Sequence, residues 1–183
     1  ALGLSRPHMP YKGLIMAILI SPMIVPLIIT AAGMFFFYAR INLVYTFTGV
    51  ILAHVALATP FVVITVTATL VGFDMNMVKA AQSLGAKPMR TFFKVIMPLI
   101  LPGIISGALF AFITSFDEVV IVMFMASIDQ LTIPKQMWAG IRQEISPVIL
   151  CMATCLVVLS IVLLTTVELL RRRSEKLRGI KAR

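Results

Sequence analysis

Charged residues are scarce in this chain, and acidic residues are the scarcest. Only 13% of the 183 residues are charged and seven are Asp or Glu, while 60% are hydrophobic. Together with a mean hydropathy of +1.04, this composition excludes a soluble globular domain. The chain also lacks any Gly-x-x-x-x-Gly-Lys-Ser/Thr sequence, so it carries no P-loop for binding nucleotide phosphates.

Cysteine is also sparse, and its placement argues against a metal centre. Cys151 and Cys155 lie one helical turn apart inside an apolar segment, without a neighbouring His or carboxylate. Thiols in that setting usually pack as small apolar groups. The twelve Met residues likewise form no cluster with Cys or His that would suit copper. We therefore expect neither a metal site nor a cofactor.

Uncharged sequence, by contrast, is abundant. A helix needs about 20 mainly apolar residues to cross a bilayer, and four segments reach this length, one of them containing His54. A further apolar stretch, Val119–Ile128, follows Asp117 and Glu118 and is too short to span. We predict an all-α polytopic membrane protein with a single domain, residues 1–183. Its four transmembrane helices are expected at about residues 13–38, 45–70, 97–117 and 146–169.

The positive charges indicate how these spans are oriented. A net charge of +9 would suggest a nucleic-acid partner in a soluble protein, but here the charges are unevenly distributed. Of the 16 Lys and Arg residues, two precede the first span, four lie at about residues 71–96 and seven lie in the C-terminal tail. Because cytoplasmic segments are rich in Lys and Arg, we place both termini and this loop in the cytoplasm. The tail either anchors the last helix or contacts anionic lipid, and no nucleic acid is expected.

The cytoplasmic loop carries the most informative pattern. It contains Lys79-Ala-Ala-Gln-Ser-Leu-Gly85, and Val95-Ile-Met-Pro98 follows after nine residues. Gly85 is expected to end a helix and Pro88 to begin the next one, because Gly favours helix ends and Pro fits a first helical turn. The residues expected on one face of the first helix are Ala80, Ala81 and Leu84.

This spacing resembles the EAA loop of permeases from binding-protein-dependent ABC importers. Lys79 stands where that family usually has Glu. Other stretches are similar to the spermidine and putrescine branch of the family, foremost Ser115-Phe-Asp-Glu118 and Thr132-Ile-Pro134. The positions that match the loop pattern in type and register are Ala80, Ala81, Gly85 and Pro98.

The resemblance implies both an architecture and a set of partners. It implies a permease fold of six spans, of which this chain holds the last four, so that we expect an N-terminal truncation. It also implies a subunit of the inner membrane that is not an enzyme. The expected partners are a cytoplasmic ABC ATPase dimer, a second permease subunit, a solute-binding protein outside the membrane, and membrane lipid. The residues expected to couple to the ATPase are Lys79, Ala80, Ala81, Leu84 and Gly85.

Asp117 and Glu118 are the main candidates for contact with a cationic solute. At about 1.5 Å per residue, Asp117 lies roughly 29 Å along the helix from Pro98, near the far edge of the membrane. Adjacent side chains point in different directions, so one carboxylate can line a cavity while the other caps or pairs. The alternative is structural, with the pair fixing a helix end or bridging to Lys135 or Arg142.

Trp138 completes the predicted substrate path, where its ring would stack on the alkyl chain of a solute. The alternative for Trp138 is an anchor at the membrane interface, where Trp is common. Other functions also stay open at this point. Importers of iron, thiamine, opines or phosphonates are close to the polyamine branch. A membrane-embedded enzyme would use His54 with Asp117 or Glu118, although these residues are expected at different depths, and a non-transporting structural subunit is a third alternative.

Overall fold

The computed structural model describes residues 1–6, 8–143 and 147–177, and these ranges form helices joined by turns. The all-α fold class is confirmed. The expected start of the last span at residue 146 and the end of the basic tail, residues 178–183, lie outside the described residues. A π-helical turn, Phe92–Ile96, joins α5 to α6. The α-helices are α1 (Lys12–Ile24), α2 (Leu27–Arg40), α3 (Phe47–Val71), α4 (Asn76–Ser83), α5 (Pro88–Thr91), α6 (Met97–Phe116), α7 (Val120–Met125), α8 (Ile133–Gln143) and α9 (Pro147–Leu177).

Three helical segments in the described ranges are long and apolar enough to cross a membrane. They are Phe47–Val71, Pro88–Phe116 and Pro147–Thr166. The second runs without a break through α5, the π-helical turn and α6. A fourth span is present if α1 and α2 are counted as one, but the helix axis bends by 108° between them.

The first apolar segment differs from the single helix expected at about residues 13–38. Val25 leaves the helix with an extended backbone, φ −72° and ψ 136°, and α2 begins directly after Pro26. The ring of a proline pushes the preceding residue towards extended conformations, and Pro26 has no N–H to continue the helical hydrogen bonds. Pro22 lies inside α1 without ending it.

Helices α3 and α6 form the most extensively packed pair in the described ranges. A Cβ atom built on Gly107 of α6 would come within 3.0 Å of the Val62 Cα atom of α3. A Cβ atom on Gly103 would overlap the side chain of Thr69. Glycine therefore lets the two backbones approach closely, as in many pairs of membrane helices.

Helix α7 is only six residues long and is enclosed by other helices. Ile121, Val122 and Met125 are completely buried. The helix packs against α2 and α3, where Ala31 and Ala53 belong to the same buried cluster. The stretch that the sequence predicts to be too short for a span therefore folds into the interior, directly after the end of α6.

Candidate coupling and substrate-path sites

The loop pattern folds into a helix with a glycine-terminated end. Gly85 has a φ of +80°, a conformation that glycine adopts without the strain that a Cβ atom causes. The Gly85 N–H donates to Gln82 O over 2.9 Å, and the Ala86 N–H donates to Ala81 O over 3.0 Å. These two bonds form a Schellman motif at the end of α4. Pro88 then occupies the first turn of α5, as the sequence predicts.

The two halves of the loop pattern meet in space. Ala80 of α4 lines one shallow groove with Val95 and Pro98, which belong to the second half of the pattern. The groove has a volume of about 530 Å³. Because the Ala80 side chain is a single methyl group, it leaves room for a partner side chain to enter the groove.

The segment around this groove also exposes two large apolar side chains. Leu84 is 88% exposed and Met89 is 69% exposed, although both lie outside the long apolar spans. Lys79 is also exposed. Large apolar side chains exposed outside the membrane spans favour a surface that binds another protein.

The π-helical turn between α5 and α6 lies where proline interrupts the hydrogen-bond ladder. Pro98 has no N–H, so it cannot donate to the carbonyl of Lys94. Just before it, the Met97 N–H donates to Phe92 O, five residues earlier, instead of to a residue four earlier. Such π turns are rare and often occur at functional positions.

Glu118 is buried and caps α7. Its side chain is 5% exposed, and its Oε1 and Oε2 atoms accept hydrogen bonds from Ile121 N at 2.9 Å and Val122 N at 3.2 Å. At the other end of α7, Lys135 Nζ donates to Ala126 O and Ser127 O over 3.5 and 3.4 Å. Negative charge at the first turn and positive charge at the last both stabilise a helix. Of the two roles that the sequence leaves open, Glu118 takes the structural one and fixes a helix end. Lys135 binds the opposite end of the same helix.

Asp117 points away from this capping arrangement. It is the C-cap residue of α6 and is exposed. Asp117 lies at an apolar cleft of about 610 Å³ between α6 and α9, next to Phe116 and Pro134. The two neighbouring carboxylates therefore occupy different environments, one in a helix cap and one at the wall of a cleft.

Trp138 lies on α8 and does not line the Asp117 cleft within the described part of the chain. The ring is 47% exposed, and the Arg142 Cζ atom lies 5.9 Å from its centroid. This distance is within the range of a cation–π interaction. The structure thus brings Trp138 together with a cation of its own helix, not with Asp117.

His54 lies close to the level of the acidic pair along the packed helices α3 and α6, which contradicts the expectation that these residues lie at different levels. The Nδ1 atom of His54 in α3 lies 2.8 Å from the Ser115 Oγ atom of α6, and Ser115 precedes Asp117 by two residues. The helices pack side by side, which aligns two positions that are 61 residues apart in sequence. The sequence shows His54 as the one ionisable group of its span, but no pattern in it indicates Ser115 as the partner.

Comparison with known proteins places the chain in a family. The family described as "Binding-protein-dependent transport system inner membrane component" matches residues 2–176. The spermidine/putrescine transport system permease protein PotC of Haemophilus influenzae is 30% identical over 174 residues, which are 95% of this chain and 68% of that protein. PotC of Escherichia coli K12 is 30% identical over 176 residues, 96% of this chain and 67% of that protein. The putrescine transport system permease protein PotI of the same organism is 37% identical over 103 residues, 56% of this chain and 37% of that protein.

The family match and the membrane helices agree with each other. The match extends over nearly the whole chain and includes each of the candidate spans. The chain therefore belongs to the family of inner-membrane components of binding-protein-dependent transport systems, as a multi-pass membrane protein that takes part in transport and is not an enzyme.

Proposed function

We propose that this chain is a permease subunit of an ABC importer for a polyamine such as spermidine or putrescine. The observation that carries the proposal is the likeness over nearly the whole chain to permeases that are named for these two amines. Physical chemistry supports the same cargo. Asp117 is an exposed carboxylate at the wall of a cleft, and a carboxylate attracts an ammonium group by Coulomb forces without any covalent chemistry.

In this proposal the energy comes from a separate ATPase dimer, because the chain contains no P-loop. The dimer docks on the segment from Lys79 to Gly85, with the exposed Leu84 and Met89 as apolar contacts. The groove beside Ala80 accepts a side chain of the ATPase. Lys79 replaces the Glu that is usual in the family, so we expect an acidic residue at the matching position of the ATPase.

The remaining partners occupy other surfaces. None of the residues in Pro147–Thr166 of α9 is buried, which leaves this face for a second permease subunit or for membrane lipid. A solute-binding protein docks at the opposite end of the α3–α6 pair from the coupling segment. The unequal distribution of Lys and Arg supports a cytoplasmic location for both termini and for the coupling segment.

The three predicted path residues take different roles in this mechanism. Asp117 contacts the passing cation directly. Glu118 adds negative potential nearby while it caps α7. We assign Trp138 to the outer entrance, where its exposed ring would offer a surface for the alkyl chain of the amine.

Transport in a reconstituted complex tests the proposed cargo. The chain is assembled in proteoliposomes with its ATPase, its partner permease and its binding protein, and ATP-dependent uptake of labelled spermidine and putrescine is measured. We expect uptake of at least one amine, together with ATP hydrolysis stimulated by the amine-loaded binding protein. If thiamine, an iron complex or a phosphonate stimulates ATP hydrolysis and neither amine is taken up, the cargo is that solute and not a polyamine.

A further inference from the structure

His54 carries a buried ring nitrogen that has no hydrogen-bond partner in the described part of the chain. Its Nδ1 atom lies 2.8 Å from Ser115 Oγ, whereas its Nε2 atom is fully buried and contacts no donor or acceptor there. Buried polar atoms in proteins nearly always have a partner, because leaving one unpaired costs free energy. The Nε2 atom is therefore available to a group that is absent from this structure.

The chemistry of the imidazole ring indicates which kind of group fits. A neutral imidazole has one nitrogen that donates and one that accepts. If Nδ1–H donates to Ser115 Oγ, Nε2 becomes an acceptor with a free lone pair. An acceptor of this kind matches the N–H donors of an ammonium group. A cation that approaches the ring would itself favour this tautomer.

The surroundings of His54 also favour a cation as the partner of its Nε2 atom. Ser115 lies two residues before Asp117, so the ring is near the level of the carboxylate that faces the α6–α9 cleft. Glu118 is buried, and both of its carboxylate oxygens accept hydrogen bonds from backbone N–H groups of α7. His54 Nε2 has no such partner in the described ranges, so it can accept a hydrogen bond from a cation that passes at the level of Asp117.

We propose that His54 is a specificity-determining residue of the transport path, whose Nε2 atom accepts a hydrogen bond from an ammonium group of the transported amine. Ser115 holds the ring in position through Nδ1. Because Nε2 is occluded in this structure, contact requires α3 and α6 to move apart at this level. This inference rests on the proposed function and adds a second contact to that of Asp117.

Two substitutions of His54 separate contact with substrate from packing. The amide of Gln reaches approximately to the position of Nε2, whereas the amide of Asn reaches approximately to that of Nδ1. His54→Gln thus keeps an acceptor for the amine, and His54→Asn keeps the contact with Ser115. A role in the path predicts that the Gln variant transports better, whereas a role in fastening α3 to α6 predicts that the Asn variant does.

The measurement is the amount of spermidine or putrescine taken up per ATP hydrolysed in the reconstituted complex. We expect His54→Asn and His54→Phe to lower this ratio about tenfold, the effect of one lost favourable contact, and His54→Gln to stay within about threefold of wild type. Thr67→Val is the control, because Thr67 is a buried residue of the same helix whose Oγ1 atom likewise lacks a partner in the described ranges. It should transport like wild type.

The outcomes distinguish this inference from the proposed function. If the wild-type complex takes up neither amine, the proposed cargo is wrong. If the wild type transports and His54→Asn does so equally well, His54 is not in the path. A loss of uptake that is fully explained by less assembled complex assigns His54 to packing and overturns the inference. A lower ratio in the Asn and Phe variants than in the Gln variant supports it.

Discussion

Glu118 and Lys135 bind opposite ends of the same six-residue helix. The Glu118 carboxylate accepts from the N–H groups of the first turn of α7, and the Lys135 ammonium donates to carbonyls at its C-terminal end. A helix this short is not stable on its own in water, since most of its backbone groups lack helical partners. The two side chains and the surrounding apolar packing therefore keep α7 folded.

Glu118→Ala should destabilise the protein by about 1–2 kcal/mol, because it leaves two N–H groups at the start of a buried helix without an acceptor. Thermal unfolding in detergent measures the change. Glu118→Gln keeps one acceptor oxygen and should lose less. Asp129→Ala is the matched control, since Asp129 is an exposed acid in the following loop. Equal stability of the Ala variants at 118 and 129 would show that the cap contributes little.

Asp117→Asn should lower uptake of labelled spermidine or putrescine about tenfold, because it removes the charge of the carboxylate at the cleft and leaves its size nearly unchanged. Asp129→Asn removes a charge from an exposed position and should leave uptake unchanged. Both variants are compared with wild type at equal amounts of assembled complex. Normal uptake by the Asp117 variant would exclude it from the path.

Gly85→Pro should uncouple ATP hydrolysis from transport. Proline cannot adopt the φ of +80° found at Gly85, and it removes the N–H that donates to Gln82 O. Gly85→Asn is the control, because Asn tolerates this backbone conformation better than other residues and no atom would obstruct its Cβ. Stimulation of ATP hydrolysis by the loaded binding protein is the measurement. Coupled transport in the Pro variant would rule out docking at this turn.

Single-cysteine labelling tests the orientation of the spans. Leu84 and Ile128 are 88% and 89% exposed. When a soluble maleimide can reach both sides of the membrane, a Cys at either position should therefore react equally well. In a background without Cys151 and Cys155, we expect Leu84→Cys to react only from the cytoplasm and Ile128→Cys only from outside. The reverse pattern would contradict the orientation inferred from the positive charges.

Gly107→Ala should destabilise the α3–α6 pair by about 1–3 kcal/mol, because the new methyl group would meet the Val62 backbone at 3.0 Å. Gly33→Ala in α2 is a matched control, since no atom lies within 4 Å of the added Cβ. Thermal unfolding in detergent should separate the two variants. A similar melting temperature for both would show that the close approach of the helices is easily relaxed.

Local features of the structure were predictable from the sequence. The turn at Gly85 and the helix start at Pro88 follow from the conformations that these two residues favour. Proline alone did not locate the break in the first segment, because Pro22 and Pro60 lie inside helices whereas Pro26 ends one. Residue type alone therefore did not distinguish the proline that interrupts a helix from those that a helix accommodates.

Long-range relationships at the candidate site were not predictable. The sequence showed that Asp117 and Glu118 must point in different directions, but it did not show which one caps a helix. That assignment depends on the folding of α7 into the interior. Likewise, the contact between His54 and Ser115 joins positions 61 residues apart, and no local pattern marks such a pair.

The π-helical turn Phe92–Ile96 sets the angular phase between the two ends of the helical stretch Pro88–Phe116. Each residue of an α-helix advances the direction of the side chains by about 100°. A π turn holds one residue more than an α-helical turn over about the same rotation, so it absorbs an extra residue without turning the helix that follows. Deleting one residue of the π turn would therefore leave Ser115 facing His54, whereas deleting one residue of α6 before Ser115 would turn Ser115 away by about 100°. A change of chain length by one residue is thus tolerated beside the coupling segment and not tolerated within α6.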